Sequence, residues 1–171
     1  CSSIGLIEKG IEIHAEIERR SLLGTNVVLG SILVDMYMKC GLVTKAQQVF
    51  DKLPIRDVVS WTTLIAGYTD HGYGEEALLC YEQMQLQGIL PNAVTFISIL
   101  RACGSIGAIE KGQEIHTELE RKGFLEQNNL VGSTLVDMYA KCGSVSIARQ
   151  VFERLPDRDT VSWNSLISGY A

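Results

Sequence analysis

The second half of this 171-residue chain repeats the first at an offset of 102 residues. CSSIGLIEKGIEIHAEIERR (residues 1–20) returns as CGSIGAIEKGQEIHTELERK (103–122), and LVDMYMKCG (33–41) returns as LVDMYAKCG (135–143). VFDKLPIRDVVSW (49–61) returns as VFERLPDRDTVSW (151–163). Of the 69 positions that can be compared, 42 are identical, which shared composition does not produce. So long a period asks for smaller units inside it, because repeat architectures bury apolar surface between stacked supersecondary elements.

Those units are helical hairpins. In residues 58–92, Trp61, Leu64, Ile65 and Tyr68 fall on one helical face, with Ser60 placed to cap the start and Gly72 to end the run. Ala77, Leu78, Tyr81 and Met84 form a second face, with Glu75 and Glu76 at its N-terminus, Gly88 at its C-terminus and Pro91 beyond. Residues 93–128 give helices over about 96–103 and 109–122, and residues 129–159 give helices over about 133–141 and 145–154. These units of 35, 36 and 31 residues close the 102-residue period. Residues 1–26 and 27–57 precede them, and 160–171 begin another unit. The expectation is an all-α chain of about ten helices, stacked as an α-α superhelical solenoid with a right-handed lean. The first helix of each hairpin lines the concave face.

Three prolines in the chain suit helices. No apolar run is long enough for a membrane span, and no targeting peptide is visible. The chain starts and stops within its pattern, so it is expected to be a segment of a longer protein. The net charge of −5 argues against nucleic acid on charge alone, since phosphate binding leaves a basic footprint. Five cysteines (Cys1, Cys40, Cys80, Cys103 and Cys142), odd in number and without close pairs, read as small buried thiols in a reducing compartment.

Tetratricopeptide repeats fit poorly, because the unit lengths alternate and their WxxLGxxY pattern is missing. The wording VDMYAKCG followed by VF..LP.RD instead resembles the pentatricopeptide repeat family, in its plant-type P–L–S triplet form. Residues 58–92 look like a P repeat, 93–128 an L repeat and 129–159 an S repeat. By the same wording 1–26 is a partial L repeat, 27–57 an S repeat and 160–171 a partial P repeat.

The resemblance implies single-stranded RNA binding, one base per repeat, within an RNA-editing or mRNA-processing factor of the mitochondrion or chloroplast. In this family one residue early in the first helix reads a base, helped by the last residue of the repeat. That pairs Ser31 with Asp57, Thr62 with Asn92, Ile97 with Asn128 and Ser133 with Asp159, and Asn164 opens a further pair. Thr with Asn resembles an adenine reader and Ser with Asp a guanine reader, whereas Ile97 has no hydrogen-bonding group. With the N-terminus toward the RNA 5′ end, residues 27–159 should read 5′-G-A-N-G-3′. Val28, Val59, Val94, Leu130 and Val161, three positions before each reader, would wedge between bases, though a helix staple also wants an apolar residue there. Lys39 and Lys141 suit phosphate contact, while Asp70 and Ser105 hold the matching positions in the other units.

His14-Ala15-Glu16 and His116-Thr117-Glu118 match half of a zinc-deaminase signature. The P-C-x-x-C half is missing, so both histidines are expected to pack or to hydrogen-bond between units. Glu8, Lys9 and Glu12, with their mates Glu110, Lys111 and Glu114, read as a solvated face. No catalytic constellation, cofactor or metal is expected in this stretch, although a deaminase domain can follow such repeats. The competing reading is a protein-binding helical scaffold, consistent with the acidic balance, while editing-complex proteins stand beside single-stranded RNA as candidate partners. Helices left without a neighbour at either end should favour self-association.

Overall fold

The computed structural model describes residues 2–24 and 26–170. Cys1 and Ala171, which open and close the units assigned above, lie outside the described residues. The helices are α1 (Ser2–Arg19), α2 (Val27–Lys39), α3 (Val43–Asp51), α4 (Val58–Asp70), α5 (Gly74–Leu86) and α6 (Ala93–Ile106). They continue as α7 (Ile109–Lys122), α8 (Phe124–Gln127), α9 (Asn129–Lys141), α10 (Val145–Arg154) and α11 (Thr160–Gly169). There is no strand among the described residues.

Among the described residues eleven helices stand where ten are expected. The addition is α8, a single turn after Gly123, whose φ of 69° ends α7. It closes by the Asn128 N–H donating to the Phe124 carbonyl (3.0 Å), and Phe124 packs edge-on against Phe96, centroids 5.1 Å apart. A 3-10 turn at Leu22–Gly24 occupies the matching place 102 residues earlier.

The first helices also begin earlier than hydrophobic periodicity suggests, because the last residue of each unit caps the next helix. Asn26, Asp57, Asn92, Asn128 and Asp159 accept from the N–H groups of Leu29, Ser60, Thr95, Val131 and Ser162, at 2.8–3.3 Å. Such caps are each worth about 1 kcal/mol. Ser60 is therefore not the cap of α4. It lies one turn inside, buried, and its hydroxyl donates to the Asp57 carbonyl at 2.9 Å.

The first helices pack in series, α2 on α4, α4 on α6, α6 on α9 and α9 on α11. From α3 onward each second helix packs on its own first helix and on the next one, while successive second helices make at most marginal contact. The closely packed layer is the inside of the curve, so the first helices line it. The splayed outer layer is bridged by long polar side chains. Lys111 meets Glu82 (3.0 Å), the Tyr81 hydroxyl donates to Glu118 (2.9 Å) and Lys52 meets Glu18 (2.7 Å). Lys111 thus corrects the reading of its stretch as merely solvated, since it ties two units together.

The fourth residue of each first helix fixes the local core. In α4 and α6 it is Trp61 or Phe96, both buried. In the 31-residue units it is Gly30 or Gly132, and the leucine of the LP turn fills the vacated space. A Cβ on Gly30 would lie 2.2 Å from Leu53 Cδ2, and one on Gly132 would lie 2.4 Å from Leu155 Cδ2. The arginine of the same turn closes the helix. Arg56 donates to the Phe50 and Asp51 carbonyls (3.3 and 2.8 Å), and Arg158 to those of Phe152 and Glu153 (3.2 and 2.9 Å). Each guanidinium also lies over the phenylalanine ring, 5.1 and 5.3 Å from its centroid. Cys103 alone among the four described cysteines is fully buried. Cys40, Cys80 and Cys142 are half-buried, because they sit at helix ends or on the outer layer. Burial pushes the Cys80 and Cys103 thiols up to about 12.

Candidate nucleic-acid interface

The second residue of each first helix forms a row. Val28, Val59, Val94, Leu130 and Val161 are 64%, 54%, 54%, 51% and 50% exposed. Five aliphatic side chains half in water and repeated in register do not behave as staples, which would be covered by a residue one turn on. They leave a ribbed apolar track along the inner layer.

The expected readers lie deeper. Ser31 and Thr62 are 6% and 8% exposed and Ser133 is fully buried. Ile97 packs against the core edge, and Asn164 is exposed. The capping residues Asp57, Asn92, Asn128 and Asp159 are only half-buried. The polar groups nearest solvent are therefore those caps, and the serine or threonine stands behind them.

Two pairs are coupled within the fold. The Ser133 hydroxyl reaches Asp159 Oδ1 and the Asn129 carbonyl, each at 3.0 Å. Burial pushes the Asp159 carboxyl up, but hydrogen bonds from Ser162, Ser133 and the Val161 N–H outweigh it and hold the carboxyl below its ordinary range. Thr62 reaches Asn92 through a residue that sequence reasoning missed. Thr62 Oγ1 lies 2.7 Å from Thr95 Oγ1, and Thr95 Oγ1 donates to Asn92 Oδ1 at 3.1 Å. The Asn92–Thr95 spacing of a capping box was the available signal. The Ser31 hydroxyl reaches only the Val27 carbonyl, at 3.4 Å. Ile97 and Asn128 make no such link.

Lys39 and Lys141 point along the same layer, but each is paired one turn back, with Asp35 (2.6 Å) and Asp137 (2.7 Å). The i,i+4 spacing in DMYxK announces both pairs. Asp70, the matching position in α4, instead bridges to Arg101 of α6 at 3.0 Å. Beside Lys39 a notch of about 300 Å³ is lined by Thr62, Gly67 and Asp70, among others. Beside Lys141 its repeat, about 290 Å³, is lined by Asn164, Ser165 and Gly169.

The two H-x-E segments do not converge on a site. His14 and His116 Nδ1 lie 2.8 and 3.0 Å from the hydroxyls of Tyr37 and Tyr139, the first helix of the following unit. Burial lowers the pKa of both rings. Glu16 pairs with Arg19 and Arg20, and Glu118 with Tyr81 and Lys122. Among the described residues no three His, Cys, Asp or Glu side chains gather as metal ligands.

The profile described as "PPR repeat" matches residues 31–58, 94–124, 133–159 and 161–171, and that described as "PPR repeat family" matches 56–105. A chloroplastic pentatricopeptide repeat-containing protein of Arabidopsis thaliana is 41% identical over 169 residues, 99% of this chain and 27% of the relative. The chloroplastic protein CRR2 of the same plant is 43% identical over 170 residues, 98% of this chain and 26% of the relative. The chain thus spans about a quarter of the curated relatives it matches. The maize pentatricopeptide repeat protein PPR10 superposes with a TM-score of 0.67 at 23% identity, over 95% of this chain and 24% of that one. PPR10 in complex with an 18-nucleotide psaJ RNA element gives 0.71 at 18% identity, over 91% and 24%. With matched repeats along most of its length and an all-helical solenoid of the same kind, this chain belongs to the pentatricopeptide repeat family.

Proposed function

We propose that this chain is a sequence-specific, single-stranded RNA-binding segment of the P–L–S type, contacting one base per unit. The observation that carries the reading is the in-register track of Val28, Val59, Val94, Leu130 and Val161, half-exposed, with a capping Asn or Asp behind each rib. Bases stack on or wedge between apolar ribs for about 1–3 kcal/mol each, and the caps supply hydrogen bonds to their edges. The RNA-bound PPR10 neighbour supports the ligand class, and the chloroplastic and mitochondrial names of relatives support an organelle setting. Residues 27–159 then read 5′-G-A-N-G-3′, with Lys39 and Lys141 on phosphates. The segment binds and positions RNA for an editing or processing step performed by another domain or partner.

One observation favours a protein-binding scaffold instead. Lys39, Lys141 and Arg101 are all paired with carboxylates, which leaves the inner layer without a free basic strip. The face of α11 opposite the track exposes Trp163 and Ile167, with Tyr170 at its C-cap, an apolar surface on which copies of this chain can associate. Titrating an oligonucleotide bearing GANG against a scrambled control separates the readings. Preference for GANG that falls with Thr62→Val and Asn92→Ala is the expected result, and equal binding of both oligonucleotides overturns it.

A further inference from the structure

The Thr62–Asn92 pair of the P unit has a third member contributed by the next unit. Thr95 is fully buried at the third position of α6 and touches both. Its hydroxyl has a single proton and two oxygens within reach, Thr62 Oγ1 and Asn92 Oδ1, of which the amide oxygen can only accept. The same hydroxyl also accepts the Asn92 N–H at 3.3 Å. With the Thr95 proton on Asn92 Oδ1, the Thr62 hydroxyl, 2.7 Å away, donates to Thr95 and each hydroxyl proton of the network has an acceptor. Asn92 Oδ1 also accepts the Thr95 backbone N–H at 2.9 Å. Two donors from one residue fix the amide with its oxygen inward, so its NH2 is directed away from the cap.

From this proton count we infer that Thr95 is a positioning residue that sets the hydrogen-bond polarity of the P unit, with Thr62 as acceptor and Asn92 as donor toward the base. The inference rests on the RNA-binding reading proposed above. An acceptor beside a donor complements adenine, whose amino group donates and whose adjacent ring nitrogen accepts. Guanine presents the opposite at both atoms, a carbonyl and a ring N–H.

The S-to-P boundaries lack this device. The third residues there are Ser60 and Ser162, and their hydroxyls donate to the main-chain carbonyls of Asp57 and Asp159, each at 2.9 Å. The Ser133 hydroxyl lies 3.0 Å from both Asp159 Oδ1 and the Asn129 carbonyl, and the Asp159 side chain has only acceptor oxygens to offer. Polarity therefore alternates along the track, with a donor at Asn92 and acceptors at Asp159. The choice is made jointly by the cap and by the hydroxyl three residues after it.

The test compares oligonucleotides that differ only by A or G at the P-unit nucleotide, bound to this chain and to Thr95→Val, Thr95→Ser and Ser60→Ala. The expected A-over-G preference is roughly tenfold, within the range for two well-placed hydrogen bonds to a base edge. It should fall to about one in Thr95→Val, return in Thr95→Ser and survive Ser60→Ala, whose hydroxyl serves only the main chain. Preference kept in Thr95→Val overturns the relay and leaves the RNA reading standing. No preference in the unaltered chain overturns base reading at this unit and the relay with it. A denaturation cycle over Thr62→Val and Thr95→Val checks the bond without RNA. Independent, additive effects of the two changes overturn the relay however the RNA behaves.

Discussion

The two 31-residue units close differently around their carboxylates. Both carry a buried serine, a capping aspartate, a glycine–leucine joint and an arginine clamp. In residues 129–159 the Ser133 hydroxyl reaches Asp159 Oδ1 at 3.0 Å, and Asn129 Nδ2 approaches Asp159 Oδ2 at 3.5 Å. In residues 27–57 the first position is Val27, which has no side-chain donor, and Ser31 turns to the Val27 carbonyl. A groove of about 210 Å³ opens there between Ser31, Asp57, Val28 and Val59. One carboxylate is thus held by the helix in front of it, while the other is held only by its own cap. The pair of buried serine and capping aspartate is therefore not a self-contained module. The first residue of the unit decides whether it is pre-aligned.

The joints are where the two units should behave alike. Leu53→Ala and Leu155→Ala each leave a cavity against a glycine and should each cost about 2–5 kcal/mol in urea denaturation. Adding Gly30→Ala or Gly132→Ala to the respective variant refills part of that space and should recover stability, although either glycine change alone destabilises by overpacking. Unequal losses at the two joints would mean that the units differ in scaffold as well as in pairing.

The caps are where they should diverge. Asp57→Ala removes a helix cap, about 1 kcal/mol. Asp159→Ala removes a cap and leaves the buried Ser133 hydroxyl without its carboxylate, adding about 1 kcal/mol. Acid should reveal the same asymmetry. The Asp159 carboxyl is depressed in the folded chain, so its contribution is full above the unfolded carboxylate pKa of about 3.9 and is lost as pH falls through the folded value. The melting-temperature gap between the unaltered chain and Asp159→Asn should therefore be constant from neutral pH to about 5 and shrink below about 4. A gap that persists in strong acid contradicts the hydrogen-bonded carboxylate.

Much of this was legible beforehand. The 102-residue echo and the glycine, proline and aromatic spacing yield the hairpins and their boundaries, because α7 and α10 are delimited by local signals. Helix starts were less legible. Ser60 satisfies every local rule for a cap, and only the geometry assigns the role to Asp57. Thr95 was invisible as a site residue because its partner Thr62 lies 33 residues away, across a unit boundary. The depth of the proposed readers was also hidden, since burial of Ser133 is set by α6 packing over α9 rather than by anything near it in sequence. Periodicity reports which face a residue occupies, not how closely the next unit covers it.

The smallest effects concern the lysines. Each is half of an exposed i,i+4 pair, worth about 0.3–0.5 kcal/mol, so Lys39→Ala and Lys141→Ala should barely move stability. Their effect belongs to RNA binding, where each proposed phosphate contact contributes about 0.7 to the slope of log affinity against log salt. Each alanine should lower the slope by about that amount and the pair of changes by about twice that. Here too the units differ. Asp137 also accepts the Ser165 hydroxyl at 3.1 Å and so is tied to the next helix, whereas Asp35 accepts from Lys39 of its own helix. A tied carboxylate restrains its lysine more firmly, so Asp137→Asn should raise RNA affinity more than Asp35→Asn, both modestly and most clearly at low salt. Equal responses would show that the pairs yield freely to phosphate in both units, and that pre-alignment is confined to the caps.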